Sequence, residues 1–219
     1  MSYITVIGAG SWGTTLAYLL SAKDFDISLW VYEESLAEEI KNTRINSLYL
    51  PDISLPENIK VTHRMDEAVA KARYVLNVVP SQHTRSIFKE AFSYMPAEAI
   101  IISAAKGIER GTLMTVSSVL KEISDHPVAV LSGPSFAKEV IKKMPTAVTL
   151  ATEDKETGLL LQEVFNNNHF RVYTHDDMLG VEIGGALKNV MAIASGISDG
   201  LGLGHNARAA LITRGLAEM

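Results

Sequence analysis

A glycine-rich segment near the N-terminus is the feature that most constrains the fold of this chain. Gly8, Gly10 and Gly13 follow the apolar run 4–7 and precede the segment 14–20, whose composition is typical of a helix. In such a strand–turn–helix unit the first glycine permits the tight turn, the second lets backbone approach a phosphate, and the third lets the helix pack closely on the strand. The helix N-terminus also offers free N–H groups to an anion. The segment predicts a dinucleotide-binding unit, and a purely structural glycine turn is the alternative.

Strand-like and helix-like segments alternate over the next 160 or so residues. The strand-like runs are 3–7, 27–31, 74–79, 99–103 and 128–131, with 146–151 and 170–173 expected to extend the sheet on its far side. The helical patterns are 12–22, 34–44, 66–70, 83–92, 113–123 and 155–165. The strands are nearly continuous apolar runs, as in a parallel sheet that helices cover on both faces. The sequence predicts an α/β fold with a doubly wound, mostly parallel Rossmann-like sheet.

The pattern changes after residue 173. A long helical stretch covers 178–197, a glycine-rich break covers 199–206, and a second helix runs from about 206 to Met219 without a stop signal. We therefore expect two units: a dinucleotide-binding domain over 1–177, and over 178–219 the truncated beginning of an all-helical domain.

Composition excludes several classes of function. Twenty Lys and Arg residues against 25 Asp and Glu give a net charge of −5, which argues against a nucleic-acid or anionic-membrane surface. No apolar run is long enough to span a membrane. The chain has no cysteine, which fits a reducing compartment, and we expect it to be cytoplasmic. The six histidines show no metal-ligand spacing, and no Ser-His-Asp arrangement is evident, so no metal site is expected.

Two residues after the second strand bear on the choice of dinucleotide. Glu33 lies 20 residues beyond Gly13, where a carboxylate can accept hydrogen bonds from the adenosine ribose hydroxyls and favour NAD. A solvated glutamate at the start of a helix is the alternative. Neither Val31 nor Tyr32 is basic, whereas an arginine there would favour the 2′-phosphate of NADP.

Candidate polar residues follow three later strands, at the edge where doubly wound sheets bind ligands. The segment 78–81 leaves one strand through a proline turn. Lys106 follows the next strand and can neutralise a phosphate or polarise a carbonyl, although a solvated loop lysine is the alternative. Gly133 exposes backbone after the fifth strand, and Ser135 suits the N-cap of a following helix. An ordinary strand-to-helix turn is the alternative there.

A further candidate lies inside the long helix. Gly184 and Gly185 each cost about 1 kcal/mol relative to alanine in a helix interior, which indicates that another element or a ligand packs close. Lys188 projects one turn later from about the same face. Apolar neighbours predict that it is partly desolvated, which lowers a lysine pKa and suits proton transfer. A snorkelling surface lysine is the alternative.

Taken together, the motifs resemble one family. They are GAGSWGT at 8–14, NSLYLP at 46–51, VVPSQ at 78–82, AAKGIE at 104–109, LSGPSFAKEV at 131–140 and the segment that begins with GGALKNV at 184–190. In this order they resemble the bacterial-type NAD(P)-dependent glycerol-3-phosphate dehydrogenases over essentially the whole chain. The AKG, SGPSFA and GGALKNV segments are more specific than the glycine loop.

The resemblance implies a reaction. A hydride moves between NADPH or NADH and C2 of a three-carbon phosphate, interconverting dihydroxyacetone phosphate and sn-glycerol 3-phosphate, a glycerophospholipid precursor. The small-molecule substrate and cofactor are the implied partners, and the resemblance also implies a homodimer formed through the helical domain when the protein is complete. Tyr32 departs from the arginine or histidine that family members often carry, which bears on the preference for NADP.

The resemblance also implies roles for individual residues. Ser11 and Trp12 hold the cofactor phosphates together with the glycine loop, and Tyr49 and Ala137 line the cofactor site. Contact with substrate and nicotinamide is implied for Lys106, Gly133 and Ser135. Lys188 is implied as the general acid/base, with Asn189 helping to orient the site.

Two other functions are compatible with the residues. One is a dehydrogenase of a different small hydroxy acid, which the LSGPSFA and GGALKNV segments argue against. The other is a non-catalytic cofactor-binding module, which would need neither Lys106 nor Lys188.

Overall fold

The computed structural model describes residues 2–218 as a large twisted sheet flanked by helices, followed by two further helices. The strands are β1 (Ser2–Ile7), β2 (Phe25–Trp30), β3 (Ile45–Asn46), β4 (Leu50–Ser54), β5 (Ile59–Thr62), β6 (Tyr74–Asn77), β7 (Ile100–Ser103), β8 (Val128–Ser132), β9 (Thr146–Ala151) and β10 (Phe170–His175). The helices are α1 (Ser11–Ser21), α2 (Glu34–Thr43), α3 (Met65–Val69), α4 (Ser81–Ala91), α5 (Val116–Ile123), α6 (Ala137–Ile141), α7 (Lys155–Phe165), α8 (Met178–Gly200) and α9 (Gly204–Glu218).

Eight strands form the main sheet in the order β10-β9-β8-β7-β6-β1-β2-β5. Every neighbouring pair is parallel except β8 and β9, which run antiparallel with Val130 opposite Ala151. The predicted doubly wound, mostly parallel sheet is confirmed, as is the extension by β9 and β10 on its far side. The carboxyl ends of β1, β2 and β5–β8 consequently share one edge, and the amino ends of β9 and β10 lie at that same edge.

Two apolar layers cover the sheet, because successive strand residues point to opposite faces. On one face Ile4 and Leu76 pack with residues of α1, α2, α6 and α7. On the other face Ile7 and Val75 pack with residues of α3, α4 and α5 and with Met178 at the start of α8. Burial on both faces explains why these strands are nearly uniformly apolar.

The helical segment after the sheet begins as the sequence predicts, at Met178, but α8 is longer than expected. It continues to Gly200, and the break before α9 is only residues 201–203. Most of the apolar side chains late in α8 and in α9 are exposed, for example Val190, Ile193 and Leu216. No helix among residues 2–218 combines the length and the apolar character needed to cross a membrane.

Three short strands were not predicted from the sequence. They are the antiparallel pair β3–β4 and the edge strand β5. The helix predicted after Ser135 is present as α6. The predicted helix over 113–123 is too long, because Thr115 accepts a hydrogen bond from the Ser118 N–H and begins α5 at Val116. Leu113 has a φ of +58°, which a helix cannot contain.

Candidate active site

The glycine loop joins β1 to α1 in a conformation that requires its first and third glycines. Gly8 has a φ of +111°, and a Cβ there would lie 3.0 Å from the backbone carbonyl group of Val78. A Cβ on Gly13 would overlap the carbonyl oxygen of Gly8. A Cβ on Gly10 would have no neighbour within 4 Å. Packing therefore accounts for Gly8 and Gly13, whereas the space beside Gly10 remains open to a ligand.

The N-terminus of α1 fits a phosphate group. Gly10 is the N-cap residue and provides no side-chain hydrogen bond to the first turn. Free N–H groups at such a terminus, together with the helix dipole, favour an anion. Ser11 is exposed beside this terminus, and Trp12 is half-buried with its ring centroid 6.4 Å from that of Phe170. The site therefore fits a dinucleotide pyrophosphate.

A buried asparagine ties the β3–β4 segment to the glycine loop. Asn46 Nδ2 donates to the carbonyl oxygen of Ala9 and to Oγ1 of Thr14, both at 2.8 Å. Its Oδ1 accepts from the backbone N–H of Tyr49 at 3.2 Å. Tyr49, 40% exposed, is thereby held in the segment attached to the loop. Sequence reasoning missed this role of Asn46, although the residue lies in the NSLYLP motif.

The carboxyl end of β2 presents Tyr32 and Glu33 to solvent. Tyr32 is 73% exposed and packs edge-on against Trp30, with the ring centroids 6.0 Å apart. Glu33 is exposed and is the N-cap residue of α2, without a side-chain capping hydrogen bond. Both side chains are therefore accessible at the edge of the sheet next to the glycine loop.

Lys106 is the half-buried cation of the site. Its Nζ donates to the carbonyl oxygen of Gly133 at 3.1 Å and to Ser135 Oγ at 3.2 Å. Burial lowers the pKa of Lys106 below its usual value, and the nearby positive charge of Lys188 lowers it further. The structure thus joins three of the predicted residues by hydrogen bonds: Lys106, Gly133 and Ser135.

Ser135 does not cap the following helix, contrary to the prediction. The N-cap residue of α6 is Phe136, and Ser135 Oγ instead donates to the carbonyl oxygen of Gly133 at 3.3 Å. The hydroxyl is directed to the lysine rather than to the helix because α6 begins one residue later than an N-cap at 135 requires. Ala137 is the first residue of α6 and is partly buried.

The loop that carries Lys106 is held by its neighbours. Gln82, in the first turn of α4, donates to the Ile108 carbonyl oxygen at 2.8 Å and accepts from the Arg110 N–H at 2.9 Å. Glu109 accepts two hydrogen bonds from Arg85, each 2.9 Å long. These bonds, together with one from Thr112, lower the pKa of Glu109 to about 2. Helix α4, through Gln82 and Arg85, therefore anchors this loop.

Lys188 lies on α8 and is exposed, so the prediction that it is partly desolvated is wrong. Apolar residues beside it in the sequence do not cover it, because Leu187 and Val190 are themselves exposed. Lys188 Nζ donates to Asn189 Oδ1 at 2.7 Å, which gives Asn189 an orienting contact. Within the described part of the chain, the desolvated lysine of the pair is Lys106.

The two helix glycines differ in their surroundings. A Cβ on Gly185 would lie 2.5 Å from Ser132 Oγ at the end of β8, whereas a Cβ on Gly184 would have no neighbour within 4 Å. The predicted close approach is confirmed at Gly185 only. Across residues 2–218, no three His, Asp or Glu side chains converge as a metal site would require.

Comparison with known sequences decides the family. Residues 3–158 match the family described as NAD-dependent glycerol-3-phosphate dehydrogenase N-terminus. The chain belongs to this family. Residues 177–219 match the corresponding description for the C-terminus, and this second match begins one residue before α8.

Relatives within the glycerol-3-phosphate dehydrogenase family align along nearly the whole chain. The glycerol-3-phosphate dehydrogenase [NAD(P)+] of Citrifermentans bemidjiense is 54% identical over 220 residues, which cover 99% of this chain and 66% of the relative. The protein of the same name from Syntrophotalea carbinolica is 51% identical with the same coverages. The crystal structure of glycerol-3-phosphate dehydrogenase from Coxiella burnetii is 41% identical, with a TM-score of 0.91, covering 99% of this chain and 67% of that one. This chain thus spans slightly less than two thirds of the two curated relatives.

Proposed function

We propose that the protein transfers a hydride between NAD(P)H and dihydroxyacetone phosphate, giving sn-glycerol 3-phosphate. The observation that carries this proposal is that Lys106, held on Gly133 and Ser135, and α8, which meets Ser132 at Gly185 one turn before Lys188, lie together at the carboxyl edge of a sheet whose first loop fits a pyrophosphate. Two cations at one edge of the sheet favour a phosphorylated substrate and an oxygen that becomes negative during the reaction. Membership of the glycerol-3-phosphate dehydrogenase family supports the substrate.

The cofactor site in this proposal follows the loop and the neighbouring strand ends. Its residues are Gly8, Gly10, Ser11, Trp12, Gly13, Tyr32, Glu33, Tyr49, Lys106 and Ala137. The open space beside Gly10 and the uncapped N-terminus of α1 support the pyrophosphate position. When bound, the reduced nicotinamide supplies the hydride. The Glu33 carboxylate would accept hydrogen bonds from the adenosine ribose hydroxyls. Because residue 32 is a tyrosine rather than a basic residue, the site favours NADH over NADPH.

The substrate site in this proposal is formed by Lys106, Gly133, Ser135, Lys188 and Asn189. Lys188 protonates the carbonyl oxygen as that oxygen gains charge, and it recovers a proton from solvent, to which it is exposed. Lys106, held by the Gly133 carbonyl oxygen and Ser135 Oγ, offers a fixed positive charge to the substrate. Asn189 orients Lys188 through the 2.7 Å hydrogen bond between them.

The organisation of the whole protein is part of the same proposal. Residues 1–177 form the dinucleotide-binding domain, and residues 178–219 begin a helical domain through which two subunits associate. The exposed apolar side chains of α8 and α9 support an association at this end. The product feeds glycerophospholipid synthesis, and the absence of cysteine supports a cytoplasmic location.

Two measurements test the proposal. Titration of the 219-residue chain with NADH and NADPH, followed by nicotinamide fluorescence, measures cofactor binding. A chimera that joins residues 1–219 to the C-terminal third of the Citrifermentans bemidjiense relative is then assayed for NADH oxidation with dihydroxyacetone phosphate. We expect binding in the first experiment and oxidation in the second.

Other outcomes discriminate between functions. Preference of the chimera for a non-phosphorylated keto acid would indicate a dehydrogenase of another hydroxy acid. Tight cofactor binding without oxidation by any triose phosphate would indicate a non-catalytic module. Failure of the chain to bind either dinucleotide would contradict the assignment of the glycine loop.

A further inference from the structure

A buried carboxylate on α8 has no role in the mechanism above. Glu182 is only 7% exposed, and both of its oxygens accept hydrogen bonds from Ser117. Oε1 accepts from the backbone N–H of Ser117 at 2.9 Å, and Oε2 accepts from its hydroxyl at 2.5 Å. A buried carboxylate is costly unless it is hydrogen-bonded in this way, so the contact has a fixed geometry.

The contact joins two separate parts of the chain. Ser117 lies in the first turn of α5, 65 residues from Glu182, where backbone N–H groups have no partner within the helix. A carboxylate at this position satisfies one of these donors and interacts favourably with the helix dipole. Glu182 therefore attaches α8 to a helix that packs against the main sheet.

A second contact lies one turn further along α8. The backbone at Gly185 approaches the end of β8 so closely that an added Cβ would lie 2.5 Å from Ser132 Oγ. Residues 182 and 185 are three apart, so they lie on neighbouring positions of the same helix face. The first half of α8 is thus docked at two points, on α5 and on β8.

Lys188, the proposed general acid, lies on α8 one turn beyond Gly185. It lies on the side of Lys106, because Gly185 contacts Ser132 and the next residue, Gly133, accepts from Lys106. Its positive charge also lowers the pKa of Lys106. Lys106 is itself fixed to the backbone of Gly133. The separation of the two ammonium groups is therefore set by how α8 lies on the sheet.

We propose that Glu182 is a positioning residue that holds α8 on α5 and so sets the separation between Lys188 and Lys106. The importance of that separation rests on the proposed function. Glu182 does not itself transfer protons, because Ser117 occupies both of its oxygens. Its effect is transmitted through the rigid helix between residues 182 and 188.

The test compares variants of the 219-residue chain. Glu182→Gln removes the charge and places an amide near the donors of Ser117. Ser117→Ala removes the hydroxyl with its contacts to Glu182 and to Thr115 Oγ1, and keeps the backbone hydrogen bond to Glu182. Asp199→Asn is the matched control, because Asp199 is an acid of α8 that pairs with Arg208 of α9 rather than with the sheet domain. Circular dichroism first establishes that each variant is folded at the temperature used.

Two readouts then report the separation of the lysines. Mass spectrometry measures the Lys106–Lys188 link made by a short amine-reactive cross-linker. Nuclear magnetic resonance of ¹³C-methylated lysines measures the titration midpoint of Lys106, assigned with Lys106→Arg. We expect Glu182→Gln, and to a smaller extent Ser117→Ala, to lose the link and to shift the Lys106 midpoint upward. Asp199→Asn should change neither.

The proposal is overturned if the folded variants keep both the link and the midpoint of the unchanged chain. It is also overturned if neither variant folds, since Glu182 would then act on stability alone. Titration of the unchanged chain with NADH and NADPH is run alongside. Absence of cofactor binding there would count against the proposed function, while the lysine readouts would still judge the role of Glu182.

Discussion

Asn46 Nδ2 lies 2.8 Å from the carbonyl oxygen of Ala9, so a residue 37 positions away supports the glycine loop from outside. The side chain is completely buried, and the same amide group also reaches Thr14 Oγ1. Because Asn46 Oδ1 simultaneously accepts from Tyr49, one side chain links the loop to the β3–β4 segment. The shape of the proposed phosphate site thus depends on a residue outside it.

Replacement of Asn46 by alanine should therefore weaken both stability and cofactor binding. Thr14 Oγ1 would lose the donor it accepts from, and the Tyr49 N–H would lose its acceptor, which costs about 1–3 kcal/mol of unfolding free energy. Urea denaturation measures this loss, and NADH titration measures the accompanying loss of affinity. Asn42→Ala, at an exposed position of α2, is the control and should leave both unchanged. Equal behaviour of the two variants would contradict the role of Asn46.

Alanine substitutions at Gly10 and Gly13 should separate binding from folding. Gly10→Ala adds a Cβ into open space, so the melting temperature should stay nearly constant while the methyl group obstructs the pyrophosphate and NADH affinity falls. Gly13→Ala overlaps the Gly8 carbonyl oxygen and should lower both quantities. Thermal melts and fluorescence titration of the two variants check this. Undiminished NADH binding by Gly10→Ala would argue against a pyrophosphate at the loop.

The Glu109–Arg85 pair should make stability depend on acid pH. The pKa of Glu109 falls from 4.5 to about 2 on folding, so the folded state favours the charged carboxylate. This contribution is fully present above about pH 5 and is lost as the pH falls through the folded pKa. Glu109→Gln should therefore be less stable than the unchanged chain at pH 7, with the difference shrinking towards pH 2. Denaturation series at several pH values measure this difference in stability between the variant and the unchanged chain. Glu90→Gln, at an exposed position, is the control. A difference that does not change with pH would contradict the pairing of Glu109 with Arg85.

Tyr32→Arg should shift the cofactor preference towards NADPH. Position 32 is exposed at the end of β2, and a guanidinium there can pair with the 2′-phosphate. One such hydrogen bond to a charged group corresponds to about a tenfold gain in the NADPH-to-NADH affinity ratio. Fluorescence titration with both dinucleotides gives the ratio. Tyr94→Arg makes the same charge change at another exposed tyrosine and should leave the NADPH-to-NADH affinity ratio unaltered.

Lys188→Ala in the chimera should lower kcat by about 10²- to 10⁴-fold, the range for loss of a positioned general acid. Steady-state assays with dihydroxyacetone phosphate and NADH measure the effect. Lys138→Ala, at an exposed lysine of α6, serves as the control. A loss below about threefold would show that Lys188 does not supply the proton.

Short-range patterns in the sequence were enough to predict most of the sheet. Apolar runs flanked by glycine and proline identify β1, β6, β7 and β8, since strands buried on both faces must be apolar throughout. The edge strand β5 was missed because Lys60 interrupts its apolar run, as solvent exposure at an edge allows. The two-residue strand β3 is too short to have a periodicity of its own.

The chemistry of the site was predictable only in part. Lys106, Gly133, Ser135 and Lys188 were identified at strand ends and on α8, and the structure joins the first three by hydrogen bonds. Which lysine is desolvated was predicted wrongly, because burial of a side chain depends on elements that pack over it rather than on its sequence neighbours. The position of the Ser135 hydroxyl was also predicted wrongly. It was expected to cap α6, but it accepts from Lys106.

The sequence by itself determined the order of the longer strands and helices, the glycine turn and the family. These follow from residues close together in the chain, whose spacing directly dictates local backbone conformation. Only the tertiary structure decided the contacts of Asn46 with Ala9 and of Glu182 with Ser117, 37 and 65 residues apart. Hydrogen bonds over such separations depend on where the sheet places each element, and burial then makes them costly to leave unmade.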